Sequence, residues 1–356
     1  MKQVSIITEV CFFLSLKQLF CKREKENKDM KLGVIGSGII VQEFLPELVK
    51  LEGIEVKAIQ GMPSDKEVME KMAAENDIPH VIYSFDEMKE LDVDTVYVAV
   101  PNFLHFMYCK QALEAGLNVI VEKPMTSNLK EAEELQQMAA EKGLYLFEAI
   151  TTVYFDSYAK IKEWLKEVGT IKLVNCNYSQ YSRRYDDFRS GTVLPVFDPK
   201  KSGGALMDLN LYNLHFVMGL FGKPKSAKYY ANIERGIDTS GELIMEYDGF
   251  LANCTAAKDC EAPRVFVIQG TDGYISTQLA PNLIGEVTLH RNDGTEEKYS
   301  DGMAMKRLIP EFKYFIQCIN SKDHASCMKM LQESVDVSAV QTKARLEAGI
   351  VFPADE

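Results

Sequence analysis

No two cysteines in this sequence form a C-x-x-C pair. The eight are scattered as Cys11, Cys21, Cys109, Cys176, Cys254, Cys260, Cys318 and Cys327. No Cys/His group has zinc spacing, so no metal site is expected. Thiols so dispersed read as reduced, mostly buried side chains of a cytoplasmic protein. Long apolar runs are missing too. The stretch 6–20 is interrupted by Glu9 and Lys17, which leaves it too short and too charged to span a membrane. No small-residue cleavage site precedes the charged run 22–29, so a secretory signal is not expected. An excess of positive charge is also lacking. The net charge of -12 argues against nucleic acid or an anionic membrane as the main partner. It leaves room for an anionic ligand in a locally positive pocket. No internal repeat or low-complexity linker occurs.

The chain does have length and apolar content. Its 356 residues, 46% of them hydrophobic, exceed one ordinary core, so two domains are expected. The first 29 residues are expected to be an extension outside the fold, with Met30 as the natural start; an amphipathic appendage is the other reading. A buried strand is predicted over 31–35. Gly36-Ser37-Gly38 follows, then a helical pattern over 39–51. This is the strand, glycine turn and helix of a dinucleotide-binding unit. Gly36 allows the tight turn, and Gly38 lets backbone approach a pyrophosphate at the helix N-terminus. Val41 replaces the third small residue of the fingerprint, and Pro46 falls inside the helical pattern. A second strand is predicted over 56–59. The residue expected to grip the adenosine ribose then falls at Gln60-Gly61, which is neither acidic nor an arginine. Lys66 is nearby and is equally well read as solvated. Both NAD and NADP are therefore expected to bind, with modest discrimination.

Further strands are predicted over 80–83, 95–100, 117–121 and 144–148, alternating with helices over 65–75, 102–115 and 128–142. This alternation predicts a doubly wound parallel sheet. Asn102 is expected to cap the helix that follows it, and Asn128 with Glu131 reads as a capping box. Glu122-Lys123-Pro124 closes the 117–121 strand at the carboxyl edge of the sheet, where ligands bind in open α/β folds. A lysine beside a low-dielectric wall loses its proton more easily, which suits acid/base work. The alternative is an ordinary surface Glu-Lys pair.

Beyond residue 150 the texture changes. One helix is predicted over 157–168. Strands then follow near 171–181, 226–234, 241–247, 251–258, 264–270 and 285–291, with hairpin signals at Asp248-Gly249, Asp272-Gly273 and Asp293-Gly294. Two helices, 305–320 and 332–347, close the chain. Between strands lies Gly203-Gly204-Ala205-Leu206-Met207-Asp208 running on to Tyr212 and His215. At i, i+4 and i+7 these three polar residues share one helix face. They form a polar site wall, or else an ordinary buried tyrosine and a satisfied histidine.

Together these pieces resemble the Gfo/Idh/MocA oxidoreductases, the family of glucose-fructose oxidoreductase and inositol dehydrogenase. The resemblance covers about residues 30–356. It rests on G-S-G at 36–38, P-N-x-x-H at 101–105, E-K-P at 122–124, G-G-A-L-M-D-x-x-x-Y at 203–212 and the closing 349–353. The sequence looks closest to the branch of dimeric dihydrodiol dehydrogenase and glucose-fructose oxidoreductase, with Tyr where inositol dehydrogenase has His. The resemblance implies an α/β protein. An N-terminal Rossmann dinucleotide-binding domain (30–150) would precede a C-terminal α+β domain (151–356) with an open, mostly antiparallel sheet. It implies NAD or NADP and a sugar, polyol or related substrate. Gly36, Ser37, Gly38, Ile39, Ile40, Gln60, Pro101, Asn102, His105, Glu122 and Lys123 would face the cofactor. Lys123 would bind substrate and help transfer a proton, Tyr212 would be the acid/base, Asp208 would orient substrate or its neighbours, and His215 would line the substrate site. Asn210 replaces the family's usual glycine. The segment 153–156 lacks a usual arginine, for which 181–184 offers replacement cations or merely a solvated loop. A homodimer or higher homo-oligomer would cover the open sheet. The implied activity is dehydrogenase or reductase chemistry at a CH–OH group. The rivals are a non-catalytic sugar or cofactor sensor and an NAD-dependent glycosidase.

Overall fold

Near-continuous apolar runs build the inner strands of one parallel sheet, as burial on both faces requires. The computed structural model describes residues 29–303 and 306–356, so the expected extension over 1–29 lies outside the described residues except for Asp29. The first half runs β1 (Met30–Ile35), α1 (Ile39–Leu48), β2 (Ile54–Gln60), α2 (Lys66–Glu75), β3 (His80–Ile82), α3 (Phe85–Lys89), β4 (Thr95–Val98), α4 (His105–Glu114), β5 (Asn118–Glu122), α5 (Leu129–Lys142) and β6 (Leu146–Ala149). The strands form a six-stranded sheet in the order β3-β2-β1-β4-β5-β6. Every neighbouring pair is parallel. The order reverses between β1 and β4, which opens a crevice at their carboxyl ends. Pro46 sits in the last turn of α1. The short helix α3 was not anticipated; Ser84 starts it by accepting a hydrogen bond from the Glu87 amide.

The second half runs α6 (Asp156–Trp164), β7 (Ile171–Ser179), α7 (Arg184–Ser190), α8 (Leu211–Phe221), β8 (Ser226–Glu234), β9 (Ile237–Tyr247), β10 (Phe250–Ala257), β11 (Val265–Gly270), β12 (Gly273–Thr277), β13 (Val287–Arg291), β14 (Glu296–Tyr299), α9 (Leu308–Ser321) and α10 (His324–Glu347). Its eight-stranded sheet has the order β14-β13-β12-β11-β7-β10-β9-β8. All pairs are antiparallel except β7 with β10. Strands β12 and β14, on the far side of the Asp272-Gly273 and Asp293-Gly294 turns, complete hairpins read only in part from the sequence. The fully buried Phe216, on α8, lies with its ring 4.3 Å from that of Phe266 under the sheet.

The last two helices lie in the second half of the chain but pack on the first sheet. Phe312 and Phe315 of α9 join the cluster that holds Leu32, Phe44, Tyr97 and Phe147. Leu331 and Val335 of α10 join the cluster on the opposite face. Further ties fasten the two halves. The Leu129 amide donates to Thr342 Oγ1 at 2.9 Å, and Arg345 pairs with Asp355, whose Oδ1 also accepts from Asn128. The capping box is therefore modified. Asn128 caps α5 by accepting from the Glu131 amide, while Glu131 reaches the Ser127 amide and not that of Asn128. Among the described residues no helix is long and apolar enough to cross a membrane.

Candidate active site

The glycine turn after β1 has the shape a dinucleotide needs. Gly36 adopts φ +127, and a side chain there would fall on the Ala99 carbonyl oxygen. Gly38 has open space around its missing Cβ and starts α1 with no side-chain cap. The first N–H groups of α1 are thus free for an anion. Ile39 is 61% exposed at the same turn, Ile40 is half-buried beside it, and Val41 is buried. These residues fit the pyrophosphate of a dinucleotide. The Ser37 hydroxyl donates to Asp65 Oδ2 at 2.8 Å. Gln60 is buried at the end of β2, with Oε1 lacking a hydrogen-bond partner.

At the end of β4, Pro101 is exposed and Asn102 half-buried. Asn102 does not cap α4 as expected. A turn of tighter helix intervenes over Asn102–Leu104, and its amide donates instead to the Ser202 carbonyl at 3.0 Å. It thereby ties the β4 loop to the glycine segment of the second half. His105 is also not placed to meet a ligand. It is fully buried, with Nδ1 2.7 Å from the Pro124 carbonyl and Nε2 2.8 Å from that of Val100. Burial lowers its pKa against the pull of those carbonyls. Its role is to brace the Pro124 turn against the end of β4.

Lys123 projects from the end of β5 into the crevice. Its Nζ lies 2.7 Å from Asp208 Oδ1 and 4.9 Å from the centre of the Tyr212 ring. Asp208 in turn holds Lys258, which follows β10, at 2.6 Å through Oδ2. Burial pushes the Lys123 pKa down, but the charge of Asp208 overrides it and holds the amine well above the usual lysine range. Burial likewise pushes Asp208 up, and the two ammonium groups hold it well below the usual carboxylate range. The readily deprotonated lysine expected from its low-dielectric surroundings is therefore corrected: Lys123 is a fixed cation.

Tyr212 is 5% exposed. Burial raises its pKa, while Lys123 and Arg307 pull it down. The phenol keeps its proton at neutral pH. Arg307 stands just before α9, and its charge also acts on Glu122 and Tyr178. Glu122 Oε1 accepts from the Tyr97 hydroxyl at 2.5 Å.

The segment that carries Asp208 departs from a regular helix. Residues Leu206–Asn210 form a π-turn before α8 begins, a device frequent at functional sites. Gly203 lets this segment lie against the Pro195–Val196 backbone, and Gly204 at φ +107 lets it lie against Asp238. Asn210 is fully buried and donates to the Cys254 carbonyl at 2.9 Å. The residue that breaks the family pattern thus pins the π-turn to β10. The wide turn also breaks the even spacing expected of Asp208, Tyr212 and His215. His215 Nε2 lies 3.2 Å from Glu148 Oε2, and Glu148 Oε1 accepts from the Met125 amide. His215 is buried and faces the Glu148 carboxylate, which holds the loop after Lys123. Among the described residues no contact joins it to Lys123 or Asp208.

Two cations were missed in the sequence. Lys258 continues an alternating strand after two alanines, the one sign that it points inward. Arg307 gave no signal, since it is brought in by a long-range packing contact of α9. The exposed Arg183 and Arg184 do not replace them. Among the described residues no group of acidic, Cys or His side chains could hold a metal ion.

Comparisons with known proteins agree with this geometry. The model of an oxidoreductase family with an NAD-binding Rossmann fold matches residues 30–150. A GFO/IDH/MocA C-terminal domain model matches 158–276. The chain is 32% identical over 338 residues to scyllo-inositol 2-dehydrogenase (NADP(+)) IolU of Bacillus subtilis, covering 92% of this chain and 99% of that protein. It is 26% identical to trans-1,2-dihydrobenzene-1,2-diol dehydrogenase of Sus scrofa, covering 92% and 99%. Among solved structures, KijD10, a 3-ketoreductase from Actinomadura kijaniata in complex with NADP and TDP-benzene, superposes with a TM-score of 0.77 at 22% identity, covering 91% and 99%. That likeness concerns the fold.

Proposed function

This chain belongs to the Gfo/Idh/MocA oxidoreductase family, and we propose that Lys123, Asp208 and Tyr212 carry its proton chemistry, supported by Lys258. It is an NAD(P)-dependent oxidoreductase acting on hydroxyl or carbonyl groups of sugar- or polyol-like substrates. A bound nicotinamide supplies or accepts the hydride. The substrate oxygen lies between Lys123 Nζ and Tyr212 Oη. In carbonyl reduction Tyr212 Oη gives its proton to that oxygen; in hydroxyl oxidation its deprotonated form, the phenolate, takes the hydroxyl proton. Lys123, charged throughout, stabilises negative charge that develops there. Asp208 fixes the direction of the ammonium, and Lys258 fixes Asp208.

The observation that carries this reading is the Lys123–Asp208–Lys258 chain beside the Tyr212 ring, at the carboxyl edge of the parallel sheet. The test is cofactor turnover with scyllo-inositol, other inositols and a panel of free sugars. Activity on at least one member is expected. Cofactor binding without turnover on any member would instead favour a sensor.

The division into a dinucleotide domain over 30–150 and a substrate domain over 151–356 is part of the same proposal, as is a cytoplasmic location. Six cysteines among the described residues are free, five of them buried, which supports a reducing compartment. We further propose that two copies pack through the outer face of the eight-stranded sheet. Leu173 and Leu251 are register partners there, each 45% exposed, and Tyr230 and Tyr274 are exposed in the same sheet. Light scattering is expected to give a dimer. Leu173→Glu with Leu251→Glu is expected to give a folded monomer, and an unchanged dimer would move the interface elsewhere.

A further inference from the structure

The end of β2 holds no acid, yet an acid reaches the place where one is needed. Asp65 lies five residues beyond Gln60, at the start of α2. The chain turns back over Pro63–Asp65 and brings its carboxylate to the glycine turn. There Asp65 Oδ2 accepts from the Ser37 hydroxyl at 2.8 Å, and Ser64 Oγ lies 3.2 Å from Oδ1. A Cβ on Gly61 would sit 3.5 Å from that Ser37 oxygen. Ser37, Gly61 and Asp65 therefore meet where the pyrophosphate turn adjoins the end of β2, the position of the adenosine ribose in this type of fold.

We infer that Asp65 makes this enzyme selective for NAD(H) over NADP(H). The inference rests on the oxidoreductase reading above. A ribose with a free 2′-hydroxyl offers donors, and a carboxylate accepts from them. A 2′-phosphate offers only acceptors and nearly two negative charges, which Asp65 repels. Lys66 is 61% exposed and 3.7 Å from Glu70, on the surface of α2. The sequence has no arginine at all between Arg23 and Arg183. The fork that best grips a phosphate is thus absent from this whole stretch. The modest discrimination expected from Gln60 alone gives way to a preference.

The test is binding and not turnover. NADH and NADPH are titrated by fluorescence, and ADP-ribose and 2′-phospho-ADP-ribose by calorimetry, on wild type, Asp65→Asn and Asp65→Ser. Wild type is expected to hold NADH and ADP-ribose at least about tenfold more tightly than their 2′-phosphorylated forms, since like charges brought together are strongly disfavoured. Both variants should narrow that ratio, chiefly by gaining affinity for the phosphorylated forms. Equal or tighter binding of NADPH by wild type would overturn the inference and leave the oxidoreductase reading intact. A ratio unchanged in both variants would overturn the role of Asp65. Failure of wild type to bind any of the four would overturn the inference together with the reading it rests on.

Discussion

The two walls of the cleft are built from different materials. The wall from the first half of the chain is mostly backbone: the turn at Gly36 and Gly38, the bare N-terminus of α1, and strand ends. The wall from the second half is charge held on a distorted helix: Asp208 on a π-turn beside Lys258 and the Tyr212 ring, with Lys123 reaching across from the end of β5 to complete it. Backbone geometry serves recognition of a constant ligand, because it is insensitive to pH and to side-chain motion. Charged side chains serve chemistry, because their positions and pKa values are set by one another. The walls should therefore fail separately: damage to the first abolishes binding of cofactor, and damage to the second abolishes turnover.

The largest expected effect is on the second wall. Lys123→Ala and Tyr212→Phe should each lower turnover by roughly 10²–10⁴-fold. Both serve one proton transfer, so the double variant should be little worse than the poorer single. Cofactor affinity should survive Tyr212→Phe. Steady-state rates on a confirmed substrate, with NADH titrations beside them, measure both. Near-normal turnover of Tyr212→Phe would remove the phenol from the reaction. His215 would be a poor replacement, since it is buried facing Glu148 and not Lys123.

The complementary experiment is Gly38→Glu. The space around Gly38 is open in the protein, so folding should survive. The carboxylate would lie where a pyrophosphate meets the helix N-terminus, and affinity for both dinucleotides should fall beyond detection. Unchanged NADH affinity in this variant would break the assignment of the first wall.

A pH profile separates the walls by a subtler route. Tyr212 titrates above its ordinary value of 10.0, because burial outweighs the pull of Lys123 and Arg307. Carbonyl reduction needs the phenol proton, so its kcat/KM should stay level through neutrality and fall only above about pH 10. Hydroxyl oxidation needs the phenolate as base, so its rate should rise toward alkaline pH. A reduction limb near pH 7 would mean that another group supplies the proton.

The first wall was largely legible in the sequence, because glycine positions and strand–helix alternation are local signals. Gly36, Gly38 and their strands were placed by spacing, as was Lys123, the one residue that the first half lends to the charged wall. The second wall was legible only in part. Asp208 and Tyr212 lie in one short motif, but the π-turn between them has no local signature and depends on Asn210 reaching β10. His105 was expected to face the cofactor because it closes the P-N-x-x-H motif of the resemblance; only the fold reveals the two carbonyls that enclose it. Asp65 and Lys258 were missed for a common reason. Each lies past a strand end: the turn over Pro63–Asp65 brings Asp65 back to the glycine turn, and Lys258, directly after β10, keeps the inward phase of that strand and so reaches Asp208, a partner that sequence distance does not foretell.

The smallest effect tests whether the second wall acts as one unit. Lys258 is 3% exposed and touches the reaction only through Asp208, while its ammonium also lies 5.1 Å from the Phe197 ring. Replacing it with Met keeps the apolar stem and removes one of the two cations on Asp208. Lys123 remains to hold the carboxylate, so the site should neither collapse nor lose its acid. The ammonium of Lys123 would, however, be more fully neutralised and less firmly aimed. Turnover should fall about tenfold, less than the 10²–10³ typical of a group that touches the developing charge directly. KM and NADH affinity should change little, and Lys258→Arg should restore most of the loss. The alkaline limb of reduction should stay in place, since Lys258 is not among the main charges acting on Tyr212. A loss as large as that of Lys123→Ala would make Lys258 a direct partner of the substrate. No loss at all would reduce it to a buried counter-ion of Asp208.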